Sequence, residues 1–125
     1  MSIETGLRSK LIDDIGVDVY PLKLPQGYTL PALTYQRVDS PRNPDLSGPT
    51  GWVFARFQID IWGDSYGSVR SLADQVRLSL DGFKGNLSGT HTGGIMMDSE
   101  RDLFEESTEV YRVTTDFIIP YTENI

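Results

Sequence analysis

The chain of 125 residues has 18 acidic and 11 basic side chains, no cysteine, and a formal net charge of −7. Its length fits one domain, residues 1–125, that can bury its own core, and the missing cysteines exclude disulfides and thiolate chemistry. No apolar run reaches the roughly 18 residues of a membrane span, and the acidic balance argues against general nucleic-acid binding, which needs a basic surface.

The N-terminal part predicts a helix followed by two extended segments. Apolar residues recur at steps of four through residues 2–15, which form the predicted helix. Residues 17–24 are extended, and Pro21 within them lacks a backbone donor, which predicts an edge strand or an arm. Residues 32–39 predict the next strand, but their alternation does not show which side faces the core.

Residues 40–51 predict a long loop, because they contain three prolines and two glycines. Connections of this length between two strands often carry function. We therefore expect this loop to contact a partner, and its charged residues Arg42 and Asp45 are candidates for that contact.

The centre of the chain predicts a strand and a helix that folds back onto it. Residues 52–62 alternate between apolar and polar side chains, which is the pattern of a half-buried strand. The apolar period then becomes helical, with Asp64 or Ser65 as the helix cap and Asp81-Gly82 as the end of the helix. This unit indicates a layer of helix packed on sheet.

The C-terminal part predicts a second long loop and two more strands. Residues 84–94 contain four glycines and are predicted as the loop, and residues 95–104 and 110–121 alternate as strands. The predicted order of elements is α-β-β-α-β-β. It indicates an α+β fold, with an antiparallel sheet of about four strands and two helices packed on one face.

The chain contains no motif that indicates an enzyme. His91, the only histidine, lies in the glycine-rich loop, where no rigid support would position it as a base. Asp98, Glu100 and Asp102 share one face of the predicted strand and could bind Ca²⁺ or Mg²⁺, although a solvated charged face explains them more simply. We therefore expect no catalytic residue, no cofactor and no metal, and a small metal-binding enzyme is the weaker alternative.

The polar side of the predicted sheet carries a repeated pattern. Arg56 and Asp60 on one strand, and Arg112 and Asp116 on another, have the same spacing, so paired strands could form ion pairs between them. This face is either solvated or covered by a neighbouring protein, and aromatic residues beside arginines are typical of interfaces. The candidate residues of an oligomer or partner interface are Trp52, Phe54, Arg56, Asp60, Trp62, Arg42, Asp45, Arg112 and Asp116.

An ordered set of segments resembles one protein family. The segments are VYPLKLPQG, PALTYQRV, ARFQIDIWGDSY, LDGFKG, SERDLFE and YRVTTDF. Together, from about Leu7 to Phe117, they resemble the small tail-completion proteins of long-tailed bacteriophages and prophages, which are also called tail terminators or minor tail proteins. The resemblance implies an α+β fold and a structural virion protein with no catalytic residues.

The resemblance also implies partners and a location. Such proteins are subunits of a ring, usually of six, that caps the finished tail tube at its head-proximal end after synthesis in the host cytoplasm. The implied partners are other copies of the chain, the tail tube protein and the head connector or stopper. DNA would pass through without specific binding, and either Asp45 or the run Asp98–Glu106 would line the passage. A head-side adaptor or stopper of the same joint is the alternative role.

Overall fold

The computed structural model describes residues 3–39 and 52–122, and within these ranges the side chains of all residues except Asp39, Trp52 and Thr122. The helices are α1 (Ile3–Ile15) and α2 (Tyr66–Leu80). The strands are β1 (Asp18–Pro21), β2 (Ala32–Asp39), β3 (Trp52–Gly63), β4 (Gly85–Leu87), β5 (Thr90–Thr92), β6 (Met96–Glu105) and β7 (Val110–Thr122). The predicted loop 40–51 lies outside the described residues.

The strands form one mixed but mostly antiparallel sheet. Its order is β1-β2-β3-β7-β5-β4, and β6 also pairs with β7. Among the strand pairs of residues 3–39 and 52–122, only β1 and β2 run parallel. The α+β class and the two helices are confirmed, but the prediction of about four strands in the order α-β-β-α-β-β is wrong, since the sheet has seven strands.

Two of the additional strands lie in the predicted loop 84–94. A two-residue turn at Ser88 and Gly89 joins β4 to β5, and both turn residues have positive φ, at 49° and 93°. This conformation is the hairpin turn that matches the twist of a sheet. The glycine content therefore marks a tight hairpin and not an extended loop. The third additional strand, β1, ends at Pro21 and lies within residues 17–24, the segment expected as an edge strand or an arm.

The core lies between one face of the sheet and both helices. The side chains of Val53, Ala55, Phe57, Ile59 and Ile61 are fully buried on this face, so the predicted alternation of β3 is confirmed. Apolar residues of α1 and of α2 belong to the same buried cluster. Leu33 and Tyr35 of β2 also point into it, which settles the side that the sequence left open. We call the opposite side of the sheet the outer face.

Local signals fix both ends of α2 and the position of α1. The Ser65 hydroxyl accepts a hydrogen bond from the backbone N–H of Ser68 at 3.2 Å, so Ser65 and not Asp64 is the cap of the two that the sequence left open. Gly82 follows the helix with φ at 84°, a conformation that suits glycine. In α1, Gly6 has no room for a side chain, because a Cβ atom there would lie 2.4 Å from the carbonyl oxygen of Leu87 in β4.

Candidate functional site on the outer face of the sheet

Six of the predicted interface residues lie together on the outer face. Four alternate along β3, and two lie on the paired strand β7. They are Phe54, Arg56, Asp60, Trp62, Arg112 and Asp116. Trp52 begins β3, but its side chain is outside the described part of the chain, as are Arg42 and Asp45. No helix among residues 3–39 and 52–122 covers this face, and its role as an interface stays a prediction.

The expected ion pairs between β3 and β7 are present. Arg56 Nη1 lies 3.8 Å from Asp116 Oδ2, and Arg112 Nη1 lies 3.8 Å from Asp60 Oδ2. The pairs are diagonal, because the register places Asp116 opposite Gln58. Arg56 also donates a hydrogen bond to Asp98 Oδ2 on β6 at 2.6 Å. The arginines therefore link three neighbouring strands.

The carboxylate of Asp60 is buried, because only 7% of the residue is exposed. Neighbouring strands bury it, since neither α1 nor α2 lies on this face. Burial raises the pKa of Asp60, and the Gln58 hydrogen bonds and the charge of Arg112 oppose this effect only in part. Gln58 Nε2 lies 3.1 Å from both carboxylate oxygens. Thr34 on β2 and Thr114 on β7, the register partners of Asp60 on either side, are buried as well. The middle of the outer face is thus a compact row of polar side chains.

Trp62 is held by contacts within the chain. Its Nε1 donates a hydrogen bond to Thr34 Oγ1 at 3.0 Å. The guanidinium carbon of Arg112 lies 4.8 Å from the centre of the indole ring, within the range of a cation–π contact. Phe54 lies towards the other end of β3, and 39% of it is exposed. The outer face therefore combines a fixed aromatic–arginine pair with one open aromatic ring.

The acidic strand β6 does not have the single carboxylate face that the sequence predicted. The register shifts between Met97 and Ser99, so Asp98 occupies a β-bulge and the alternation is displaced after it. Asp98 pairs with Arg56 on the outer face, whereas Glu100 and Asp102 bind Arg70 of α2 on the helix side, at 2.8 Å and 3.2 Å. A cation site made of these three side chains is therefore excluded by geometry.

The other candidates for chemistry are also separated. His91 lies exposed on β5, opposite Asn86 in the hairpin, and not in the predicted loop. Across residues 3–39 and 52–122, no three histidine or carboxylate side chains are placed to hold a metal ion. A groove of about 310 Å³ between α1 and the hairpin is lined by Lys10 and Asp14 among others. Their charges are paired at 2.8 Å.

Two residues that complete the outer face, Thr34 and Asp98, are not assigned to it by the sequence, and Gln58 follows from the alternation of β3 although it is not among the interface candidates. Thr34 was not identified because the alternation of β2 left its orientation open. Gln58 lies between Arg56 and Asp60 in the sequence, and its spacing was the available signal for its place on the same face. The place of Asp98 on this face could not be predicted, because a bulge leaves no mark in a regular alternation.

Comparison with solved structures shows the fold. A chain of the virion of a native gene transfer agent particle is 20% identical, with a TM-score of 0.71 over 98% of this chain and 92% of that chain. Two structures from Akkermansia muciniphila, one solved without its transmembrane region, have TM-scores of 0.40 and 0.41, with 15% and 14% identity. They cover 75% and 74% of this chain and 46% and 42% of theirs, and these scores are too low to support a shared fold.

Comparison with sequences and families identifies the chain more closely. None of the helices among the described residues is long and apolar enough to cross a membrane. A search of the curated proteins gives no match. The model of the family described as "Tail completion protein gp17" matches residues 10–122, which is most of the chain. The chain therefore belongs to the tail completion protein gp17 family, and it is a structural component of a phage tail in the virion.

Proposed function

We propose that the protein completes the tail tube as one subunit of a hexameric ring at the head–tail joint, and that it has no enzymatic activity. The observation that carries this proposal is the family match over residues 10–122. The similarity of the fold to a chain of a gene transfer agent virion is consistent with a place in a phage-like particle. A ring subunit needs two different contact surfaces that close by rotation, as well as a surface for the tube or connector.

The outer face suits a protein partner. Its arginines, its half-buried Trp62 and its open Phe54 are residue types that carry binding energy in interfaces. Ion pairs hold Arg56 and Arg112, and a hydrogen bond holds Trp62, before binding, so these three side chains lose little entropy on association. A polar but fixed surface of this kind fits a partner that must be recognised in one orientation.

DNA would pass the ring without being bound. The net charge of −7 repels phosphates and gives no basic surface that would retain them. In the run Asp98–Glu106, however, ion pairs with Arg56 and Arg70 offset part of the negative charge. The net charge of the subunit therefore supports the passage of unbound DNA better than the charges of the run Asp98–Glu106 do.

Two measurements test the proposed role. Native mass spectrometry over a range of protein concentrations should give a closed hexamer, and co-sedimentation with purified tail tubes should give binding. Binding to the head connector but not to tubes would favour the head-side adaptor or stopper. A monomer that binds neither tubes nor connector would overturn the proposal.

A variant tests the outer face itself. Phe54→Asp places a charge on the open aromatic position and should weaken binding to the tube or connector. Leu78→Asp is the matched control, because Leu78 is an exposed apolar residue on α2. Equal effects of the two substitutions would argue against a role for the outer face.

A further inference from the structure

We infer that the subunits of the proposed ring join by opposite edges of the sheet. An aromatic patch beside β6 on one subunit would pack against the segment 22–28 beside β1 of the next. We call these surfaces the aromatic patch (Tyr66, Phe104 and Tyr111, with Glu105 and Glu106 beside them) and the Leu22 rim (residues 22–28). The inference rests on the proposed ring, and it names the contact that closes it.

The aromatic patch is an exposed cluster of rings in contact. Phe104 and Tyr111 have ring centres 4.7 Å apart, and Tyr66 meets Tyr111 edge to face at 6.4 Å. Tyr66 is 52% exposed and Phe104 48% exposed, although both already contact other rings. The hydroxyl of Tyr66 donates a hydrogen bond to Asp102 at 2.8 Å, which fixes its ring. Fixed, partly exposed aromatic rings are the typical anchors of protein interfaces.

The patch lies beside an open edge of the sheet and in a strongly acidic segment. Among the residues described, β6 pairs with β7 alone, so the other side of its ten residues has no strand partner. A long unpaired edge invites contact with another chain unless charges protect it. Glu105 and Glu106 follow Phe104 directly, and Glu109 lies in the same turn. The apolar rings are thus bordered by negative charge.

The Leu22 rim has the opposite character at the other end of the sheet. Leu22 is 70% exposed, and its backbone has φ at 67°, in the left-handed region that a bulky residue rarely adopts. Its N–H donates to the carbonyl of Tyr35 at 2.8 Å, which holds this conformation. Lys23 and Tyr28 are exposed beside it. A strained backbone that presents an apolar side chain to solvent is a sign of a functional contact.

The charges of the two surfaces are complementary. The Leu22 rim contains Lys23 and no acidic residue, whereas Glu105, Glu106 and Glu109 border the aromatic patch. Strands β2, β3 and β7 separate β1 from β6, so the two surfaces cannot meet within one subunit. A contact between unlike surfaces of identical chains is the heterologous type that generates rings. This arrangement leaves the outer face for the tube or connector.

Charge reversal tests the contact. Lys23→Glu alone, or Glu105→Lys with Glu106→Lys, places like charges opposite one another and should raise the concentration needed for assembly at least about tenfold. The chain that carries all three substitutions should assemble to within about threefold of the unmodified protein, because the charges are then reversed on both sides. Lys84→Glu, on an exposed lysine away from both surfaces, is the control. The readout is native mass spectrometry, or chemical cross-linking of subunits on tail tubes.

A second variant separates assembly from folding. Leu22→Gly removes the exposed side chain and relieves the positive φ, so thermal stability should be kept or raised while assembly weakens. If the unmodified ring forms and every one of these variants assembles equally well, the edge contact is refuted while the proposed function stands. If the unmodified chain forms no ring, free or on tubes, the proposed function fails and the contact fails with it.

Discussion

Gly6 offers the sharpest test of how α1 packs, because sequence and structure predict opposite outcomes for Gly6→Ala. Helix propensity alone predicts a gain of about 0.5–1 kcal/mol, since alanine loses less backbone entropy on folding than glycine. In the structure, the new Cβ atom would lie 2.4 Å from the carbonyl oxygen and 2.6 Å from the carbonyl carbon of Leu87. The contact with the oxygen is about 1 Å too short for ordinary packing. Backbone atoms cannot rotate away, so α1 or the β4–β5 hairpin must move.

Overpacking of this kind costs about 1–3 kcal/mol, and a rigid backbone neighbour places this case near the upper end. After subtraction of the propensity gain, Gly6→Ala should lower the free energy of unfolding by about 2 kcal/mol. For a chain of this size the melting temperature should fall by roughly 5–10 °C. Urea unfolding followed by fluorescence of the two tryptophans, Trp52 and Trp62, measures the change.

Gly67→Ala provides the matched control within the same protein. Gly67 lies in α2, and a Cβ atom there would meet nothing within 4 Å. This substitution should raise stability by up to about 1 kcal/mol. If Gly6→Ala is as stable as the unmodified protein or more stable, the close packing of α1 against the hairpin is refuted.

Three further predictions concern the outer face, β6 and the cap of α2. Burial raises the pKa of Asp60, so the carboxyl group of Asp60 stays protonated to a higher pH in the folded state than in the unfolded chain. The free energy of unfolding therefore falls as the pH rises from the pKa of the unfolded chain through that of the folded state. Asp60→Asn should therefore be more stable than the unmodified protein at about pH 7, and this advantage should shrink as the pH falls towards about 4. A difference in the free energy of unfolding in urea that does not vary with pH would contradict this. Arg70→Ala should lower the free energy of unfolding by about 1 kcal/mol, because Glu100 and Asp102 lose their ion-pair partner, and this decrease should become smaller as salt is added. A decrease that is independent of salt would show that packing is responsible. Ser65→Ala should lower the free energy of unfolding by about 1 kcal/mol, and Ser65→Gly by only a few tenths, because glycine still suits a cap position. Thermal unfolding of the two variants measures this difference.

The sequence predicted those parts of the fold in which local periodicity and burial agree. In β3 and α2 the apolar residues face one core, so the pattern alone located both elements and the side of Phe57, and it limited the cap of α2 to Asp64 or Ser65. The hairpin β4–β5 was missed because its signal is a two-residue turn, and Ser88 with positive φ resembles an ordinary loop residue. Tertiary packing against α1, where Gly6 meets Leu87, stabilises these short strands and cannot be deduced from their composition.

The candidate site was predictable in its β3 and β7 part for the same reason. Alternation alone places Arg56 and Asp116 on one face, and the register then brings them together. The partner of Arg56 at the shorter distance, Asp98, depends on a single extra residue in β6. Strand pairing determines that insertion, which a count of polar and apolar residues along one strand cannot detect.

The bulge at Asp98 has a consequence for how this strand can vary among relatives. Deleting that one residue would join Met97 and Ser99 in a regular alternation, so Arg56 would lose its partner Asp98 and keep only the more distant Asp116, whereas Glu100 and Asp102 would still face Arg70. Substitutions that keep the length of β6 preserve the division of charge between the two sides of the sheet, whatever acidic residue is used. The number of residues in this strand therefore carries structural information that residue identity alone does not, and gaps at this position should be rarer than exchanges of aspartate for glutamate.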